Sequence, residues 1–195
     1  MHEQELPTAL AGDLDNNFAR LVEIYQDRLY AFSLRLSGNP QDAEEITVDA
    51  LVRAYQALTR YEGERIQALA LRPWLYQITL NVFRNRVRGQ RLQLVSQHLT
   101  EETAALHVAD EEASRPDALL ERAELRETLA TLIAELPERE RVAVVLRHIQ
   151  GSGYNEIAGL LRQPVGTVKA HVHRGMRRLR EALHTHAEWR ETDAT

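Results

Sequence analysis

The chain has 195 residues, of which 44% are hydrophobic, a size that suits one large or two small domains with packed cores. It contains no cysteine, which excludes a disulfide framework, thiolate metal sites and cysteine nucleophiles within the chain. No apolar run approaches the ~18 residues of a membrane span, and the acidic residues 1–15 lack the apolar core of a signal peptide, so a cytoplasmic location is expected. Nine glycines and six prolines beside abundant Ala, Leu, Arg and Glu predict an all-helical protein.

The net charge of −5 conceals strong segregation of charge along the chain. Residues 1–50 hold ten acids and three bases, and residues 96–127 hold nine acids and three bases. Residues 72–91 hold five bases and residues 162–180 hold six, and neither stretch contains an acid. Two separate basic stripes favour two contacts with a polyanion such as nucleic acid, although two solvated helix faces would give the same pattern.

The predicted elements of the first half are helices separated by clear breaks. Apolar residues at helical spacing predict a helix over 18–37, which Gly38-Asn39-Pro40 ends. The next helix is predicted over 40–58, with an inner face formed by Ala43, Ile46, Ala50, Leu51, Ala54 and Leu58. The pattern breaks over 61–71, with a turn at Gly63, and Pro73 then fits the first turn of a helix that runs to about residue 91. Aromatic residues expected in the core of this half are Tyr25, Tyr30, Phe32 and Trp74.

The second half begins after an aperiodic acidic stretch over 92–117, which predicts a flexible linker. Helical periodicity returns from about residue 117, a new helix begins at Leu136-Pro137-Glu138, and Gly151-Ser152-Gly153 ends it. A short helix over 154–161, a break over 162–164 and a basic helix from 165 to about 184 follow. Residues 185–195 are expected to fray.

Residues 154–180 have the pattern of a helix-turn-helix, in which a short helix precedes a longer basic one. On the longer helix Val165, Val168, Val172 and Leu179 form one apolar face, which predicts docking on the preceding helices. A major groove accepts such a helix, and Arg or Lys can pair with guanine there. The residues predicted to remain on its surface are Thr167, Lys169, Ala170, His171, His173, Arg174, Arg177 and Arg178. The competing interpretation is an amphipathic helix-loop-helix that does not bind DNA.

Motifs in both halves carry a family resemblance. The second half contains Leu136-Pro137-Glu138-Arg139-Glu140-Arg141, Tyr154-Asn155-Glu156-Ile157-Ala158 and Pro164-Val165-Gly166-Thr167-Val168-Lys169. The first half contains Leu34-Arg35, Asp42-Ala43-Glu44-Glu45-Ile46 and Trp74-Leu75-Tyr76-Gln77-Ile78, followed by Asn81. In this order and spacing, the chain resembles an extracytoplasmic-function (group IV) sigma factor of bacterial RNA polymerase, of the sigma-70 family. The resemblance implies an all-α fold of two small domains joined by the acidic linker, with region two over 16–91 and region four over 118–184.

The resemblance also implies roles for individual residues. Region four would read the minus-thirty-five promoter element through Thr167, Lys169, Ala170, His171, His173, Arg174 and Arg177. Region two would open the minus-ten element and capture a flipped base, with the matching positions Tyr61, Glu62, Gly63, Glu64, Ile78, Asn81, Arg84, Arg86 and Arg88. A surface on the second helix would bind core polymerase, through Asp42, Glu44, Glu45, Asp49 and Arg53.

The partners implied are core RNA polymerase, promoter DNA and an anti-sigma factor. Core polymerase would be contacted at the clamp helices of its largest subunit and at the flap of the second-largest subunit. The chain departs from the family pattern at four informative positions. Val48 replaces a usual glutamine, Arg162 replaces the turn glycine, and Ala170-His171 replaces a Ser-Arg pair. These departures predict altered core affinity or promoter choice, and Arg162 must avoid or tolerate a left-handed backbone.

Two other classes of function are alternatives to a sigma factor. An autonomous helix-turn-helix regulator would need a dimer interface or ligand pocket, and no heptad pattern suggests one. A helical enzyme would need a phosphate loop, a nucleophile set or clustered metal carboxylates, and none is visible, so no catalytic residue and no cofactor is expected. His171 and His173 diverge at i, i+2 on a helix, so no metal site is expected either.

Overall fold

The computed structural model describes the backbone of residues 3–94 and 116–193 and the side chains of residues 3–89 and 125–185. Within these ranges every regular element is a helix, and the chain divides into an N-terminal and a C-terminal compact unit. The predicted all-α fold with two small domains is therefore confirmed. Most of the acidic stretch over 92–117, predicted to be a flexible linker, lies outside the described residues.

The N-terminal unit consists of five α-helices in its described part, after a short 3-10 turn over Glu3–Glu5. They are α1 (Leu6–Gly12), α2 (Leu14–Ser37), α3 (Pro40–Leu58), α4 (Gly63–Gln67) and α5 (Leu71–Leu94). The bounds predicted for α3 are confirmed, because Gly38 turns the chain at a φ of +73° and Pro40 starts the helix. Gly63 opens the short helix α4 rather than forming the predicted turn.

The core of this unit is aromatic and aliphatic. Helix α2 packs on α5, and the rings of Phe32 and Tyr76 meet edge to face with centroids 4.8 Å apart. Phe32 and Tyr25 are buried as predicted. Tyr30 is 36% exposed, so its predicted place in the core is wrong, and Trp74 is half-buried rather than fully enclosed. The predicted inner face of α3 is buried except for Leu51, which is half-buried.

Helix α1 was not predicted from the sequence. It packs on α2 and α4, and its Leu6 and Leu10 are fully buried. Glu3, in the 3-10 turn that precedes α1, accepts hydrogen bonds from the Tyr25 hydroxyl at 2.7 Å and from Arg28 at 3.0 Å. These contacts make the first residues of the described chain an integral part of the unit.

The C-terminal unit contains four α-helices in its described part. They are α6 (Pro116–Glu135), α7 (Glu138–Val144), α8 (Tyr154–Leu161) and α9 (Val165–Asp193). Helix α7 continues as a single wider π-helical turn over Val145–Ile149. Helices α6, α7 and α8 all pack against α9. The core between them is formed by buried aliphatic residues, among them Val142, Val145, Leu146, Ile157, Val168 and Val172.

The first helix and the break of the helix-turn-helix have the predicted bounds, and the second helix starts where predicted. Helix α8 begins at 154, where the Gly153 N–H donates to the Glu156 carboxylate at 3.3 Å. It ends at Leu161, and the next residue, Arg162, has a left-handed backbone with a φ of 52° and a ψ of 48°. The arginine therefore tolerates the geometry that glycine usually provides. The backbone of α9 continues to Asp193, beyond the predicted end near residue 184, so the expected fraying of the tail is wrong up to that residue.

Candidate nucleic-acid interface

Helix α9 presents most of its predicted DNA-reading residues outward. Its docking face is buried at Val168, Val172 and Leu179, while Val165 is half-buried. Thr167 and Ala170 are half-buried on the opposite side. The residues of this set that are exposed are Lys169, His173, Arg174 and Arg177. The helix can therefore offer cationic and imidazole groups to a ligand while its apolar face holds it on the unit.

His171 departs from its predicted position on the surface of α9. It is only 7% exposed, and its Nδ1 lies 2.8 Å from an Arg174 guanidinium nitrogen. Burial, and then the neighbouring Arg174 and Arg139, hold the pKa of His171 below its usual value. The prediction of an exposed His171 is thus wrong, because helix packing encloses the ring and Arg174 occupies its acceptor nitrogen.

Glu140 on α7 is a residue that the sequence analysis did not single out. Its side chain is 9% exposed, and its two oxygens lie 3.3 Å from Arg174 Nε and 2.9 Å from Arg178 Nε. A signal for its burial exists in the sequence. Glu140 stands four residues after Leu136 and four before Val144, so helical spacing puts it on the buried face of α7.

A second feature near α9 is the ring of Tyr154 at the start of α8. The Arg147 guanidinium carbon lies 4.8 Å from the ring centroid and Lys169 Nζ lies 5.6 Å from it. Arg147 also donates a hydrogen bond to the carbonyl of Ser152 at 3.2 Å. The ring therefore makes cation–π contacts with Lys169 of α9 and with Arg147 of the π-helical turn.

In the N-terminal unit the residues predicted to capture a base lie around the start of α4. The Arg65 guanidinium stacks on the Tyr61 ring at 3.7 Å, and the Tyr61 and Trp74 centroids are 6.2 Å apart. Glu62 and Glu64 are exposed. A Cβ placed on Gly63 would be 3.6 Å from the Ala11 carbonyl oxygen, so α1 contacts this segment directly.

Helix α5 carries the other residues predicted for this site. Ile78 is half-buried, and exposed Asn81 accepts a hydrogen bond at its Oδ1 from Gln77 Nε2 at 3.1 Å. That bond leaves the Asn81 amide hydrogens as donors for a ligand. Arg84 is half-buried and Arg88 is exposed.

Arg86, which was predicted to contact the DNA backbone, is paired with carboxylates of its own unit. Its guanidinium contacts Asp42 Oδ1 at 2.7 Å and Glu45 Oε2 at 2.6 Å, and it therefore joins α5 to α3. Those carboxylates outweigh the opposing effect of burial and hold the pKa of Arg86 above its usual value. The pairing opposes the predicted phosphate contact, because a guanidinium already bound to two carboxylates is a poor additional anion site.

The surface of α3 predicted for polymerase binding is mixed. Glu44 and Glu45 are exposed and Asp42 is half-buried. Asp49 pairs with Arg53 one turn later at 2.9 Å. Between these charges lie two apolar side chains, Val48 at 57% and Val52 at 48% exposure. The face therefore combines carboxylates with a small apolar strip, which charge counting alone does not reveal.

The described residues contain no group of three or more His, Asp or Glu side chains placed to hold a metal ion. In the same part of the chain, none of the helices has the length and apolar character needed to cross a bilayer.

Comparison with known families gives two matches in chain order. Residues 21–93 match sigma-70 region 2, and residues 126–179 match sigma-70 region 4. The chain is 31% identical over 186 residues to the ECF RNA polymerase sigma factor SigW of Bacillus subtilis, covering 94% of this chain and 97% of that protein. It is 31% identical over 169 residues to the ECF RNA polymerase sigma-E factor of Escherichia coli K12, covering 85% and 84% of the two chains.

Among solved structures, the chain is similar to the sigma factor RpoE of Bartonella quintana, determined in complex with the anti-sigma factor NepR. The TM-score is 0.70 at 22% identity, over 86% of this chain and 96% of the other. That likeness concerns the fold. Together with the sequence matches, it agrees with the order of helices described above.

The chain belongs to the sigma-70 family, among its extracytoplasmic-function RNA polymerase sigma factors. The predicted family and function are thus confirmed, and the alternative of an autonomous regulator is not favoured, because a region 2 precedes the helix-turn-helix. Sigma factors are initiation factors, so the prediction of a non-enzymatic function is supported by family membership.

Proposed function

We propose that this sigma factor directs core polymerase, in the cytoplasm, to promoters with two spaced elements, each read by one unit. The domain over 16–91 binds core polymerase and the minus-ten element, and the domain over 118–184 binds the minus-thirty-five element. The segment over 92–117 joins the two. Binding at two points gains from effective concentration, since attachment of one domain raises the local concentration of the other.

The observation that carries this proposal is the shape and charge of α9. Its apolar face is held by three helices, while Lys169, His173, Arg174 and Arg177 remain exposed. A helix held in this way can enter a major groove with its cations toward base edges and phosphates. Thr167 and Ala170 complete the reading face, and His171 acts from behind it through Arg174. The Tyr154 cluster supplies further positive charge for the phosphate backbone.

For the minus-ten element, Tyr61, Glu62, Gly63 and Glu64 form one side of a base-capture site, and Ile78 and Asn81 form the other. The Asn81 amide donors and the stacked Tyr61 ring are groups that suit an unstacked base. Extrusion of a base costs a few kcal/mol, and hydrogen bonding and stacking in the site offset that cost. Arg84 and Arg88 contact the backbone, whereas Arg86 supports α3.

The polymerase-docking surface is the outer face of α3. Its carboxylates, Asp42, Glu44, Glu45 and Asp49, form an acidic surface for a basic partner. Within this surface Arg86 already pairs with Asp42 and Glu45, and Arg53 pairs with Asp49. The exposed Val48 and Val52 supply the apolar contact that a stable interface needs at its centre. The partner expected here is the clamp-helix element of the largest polymerase subunit, while the second domain meets the flap of the second-largest subunit.

An anti-sigma factor is proposed as the negative regulator of the chain. The similar RpoE of Bartonella quintana is bound by NepR, an anti-sigma factor. A partner that covers the α3 face would prevent polymerase binding without touching the DNA-reading residues. Because the sequence contains no cysteine, thiol-based redox sensing would take place elsewhere.

The test is reconstituted transcription with the purified chain, core polymerase and a pool of random promoter fragments. We expect new start sites that depend on the chain and share two spaced sequence elements. Absence of initiation and of core binding, combined with sequence-specific DNA binding by the chain alone, would refute the proposal in favour of an autonomous regulator.

A further inference from the structure

The recognition helix is tied to α7 by a buried carboxylate. Glu140 is only 7% exposed, and a buried charge is costly unless charged partners compensate it. Its partners both come from α9, where Arg174 Nε lies 3.3 Å from Oε1 and Arg178 Nε lies 2.9 Å from Oε2. Since these two arginines are one helical turn apart, a single carboxylate spans a turn of the DNA-reading helix.

Arg174 is held at a second point by His171. An Arg174 guanidinium nitrogen lies 2.8 Å from His171 Nδ1. Because arginine has no acceptor, the histidine nitrogen must accept, and the neutral ring then carries its proton on Nε2. Glu140 and His171 therefore fix two edges of one guanidinium. The Arg174 side chain is still 45% exposed, so the restrained group remains open to a ligand.

The position of Glu140 relative to α9 is itself fixed by close helix packing. A Cβ on Gly175, the residue after Arg174, would lie 2.6 Å from Val144 Cγ2 and 3.4 Å from the Glu140 carbonyl oxygen. The backbones of α7 and α9 thus approach at this point as closely as a glycine allows. That contact fixes the backbone from which the Glu140 side chain extends toward α9.

We propose that Glu140 is a positioning residue for promoter recognition, which together with His171 holds Arg174 in the geometry that reads the minus-thirty-five element. The inference rests on the proposed function of α9. A guanidinium reads a guanine through two parallel hydrogen bonds, so its orientation decides whether both can form. A preorganised side chain loses less conformational freedom on binding, and its fixed orientation favours the base whose acceptors match it. Glu140 touches no DNA in this scheme and acts through Arg174.

The experiment uses holoenzyme assembled from core polymerase and the full chain. The templates are a promoter selected with the wild-type chain and the same promoter with a scrambled minus-thirty-five element. The measured quantity is the ratio of initiation rates on the two templates. We expect Glu140→Gln to lower this ratio roughly tenfold, the effect of weakening one charge-assisted hydrogen bond. Glu135→Gln, an exposed carboxylate on α6, is the matched control and should leave the ratio unchanged.

A double substitution separates positioning from a general loss of structure. If Glu140 acts through Arg174, then Glu140→Gln should produce no further loss of discrimination in an Arg174→Ala background. His171→Phe, which keeps a buried ring but removes the acceptor, should lower the ratio in the same direction. Core binding by these variants should equal that of the wild type.

An unchanged ratio in Glu140→Gln, or a full additional loss in the Arg174→Ala background, would overturn the positioning role. If the wild-type holoenzyme itself fails to initiate, or ignores the scrambled element, the proposed function fails instead. The two failures are therefore distinguished by the wild-type lanes of the same experiment.

Discussion

The two arginine-rich helices, α5 and α9, differ in how exposed the carboxylates are that pair with their arginines. On α5, Arg86 is bound by Asp42 and by Glu45, a carboxylate that is itself 50% exposed. On α9, Arg174 and Arg178 share Glu140, which is 9% exposed and lies between two helices. The Arg86–Asp42 pair is partly exposed, at 32% and 26% of the two side chains, and an ion pair open to water contributes about 0–1 kcal/mol to stability. The contrast lies in the Glu140 carboxylate, because removing its arginine partners would leave a nearly buried charge uncompensated. The first arrangement joins α5 to α3 at the surface, and the second joins α9 to α7 at the helix proposed to read DNA.

The comparison also shows that formal charge overstates the cations available to a ligand. Both stripes are free of acids in the sequence, yet each is partly neutralised by carboxylates from another helix of its own unit. Long-range steering depends on the remaining exposed residues, such as Arg88 and Lys169.

The largest effect is expected where α7 meets α9. Gly175→Ala forces a methyl group against Val144, a buried β-branched residue that cannot easily yield, and should destabilise the C-terminal unit by about 1–3 kcal/mol. Gly159→Ala is the matched control, since its Cβ would meet nothing within 4 Å and alanine favours a helix. Urea unfolding followed by circular dichroism measures both. An alanine at 175 as stable as glycine would contradict the close approach and weaken the contrast between the two helices.

On α5 the group proposed to bind an unstacked base is the Asn81 amide. Asn81→Ala should reduce promoter opening by about 1–2 kcal/mol, roughly a five- to thirtyfold loss, because donors to an unstacked base disappear. Permanganate reactivity of unpaired thymines in the holoenzyme complex reports opening. The control is Asn85→Ala, at an exposed position one turn further along α5. Holoenzyme with this substitution should open promoters as the wild type does. Equal effects of the two substitutions would remove Asn81 from the capture site.

A smaller effect separates paired from exposed arginines within α5. Arg88→Ala should lower the slope of log affinity against log salt by roughly 1, as expected for one lost phosphate contact. Arg86→Ala should change that slope much less, because the Arg86 guanidinium is already bound by Asp42 and Glu45. Holoenzyme binding to promoter DNA over a range of salt concentrations makes the measurement. A larger change for Arg86 than for Arg88 would reverse the assignment.

The smallest effect is a pH dependence confined to the C-terminal unit. The folded chain holds the pKa of His171 below its ordinary value of 6.5, chiefly through burial and then through Arg174 and Arg139, while Glu140 opposes the shift. The unfolded chain therefore binds the proton more readily, and this contribution to stability is full above about pH 6.5 and declines as the pH falls. His171→Asn should flatten the decline in melting temperature between pH 8 and 5.5. His173→Asn, at an exposed site, should leave the decline as it is in the wild type.

Much of the fold could be predicted because local signals agree with tertiary packing. The bounds of α3 and α8 follow from Pro40 and from the glycines before Tyr154. Helix α1 was missed because it is seven residues long and shows only Leu6 and Leu10 as a periodic signal. Its stability comes from contacts with α2 and α4 that no local pattern contains.

The site was less predictable than the fold, because its geometry depends on pairs of residues far apart in sequence. Arg86 meets Asp42 across 44 residues, and Arg174 meets Glu140 across 34. A pattern on one helix can propose which residues face outward. It cannot reveal which guanidinium is already held by a carboxylate from another helix. The burial of His171 could not be predicted for the same reason, because it depends on packing between helices.

The bonds of Glu3 have a practical consequence for handling the protein. Tyr25 and Arg28 both donate hydrogen bonds to the Glu3 carboxylate, so an affinity tag fused close to Glu3 would crowd these two contacts. A short flexible spacer, or a tag at the opposite end, avoids the interference. Purification schemes and pull-down assays with polymerase should therefore place no tag directly beside Glu3.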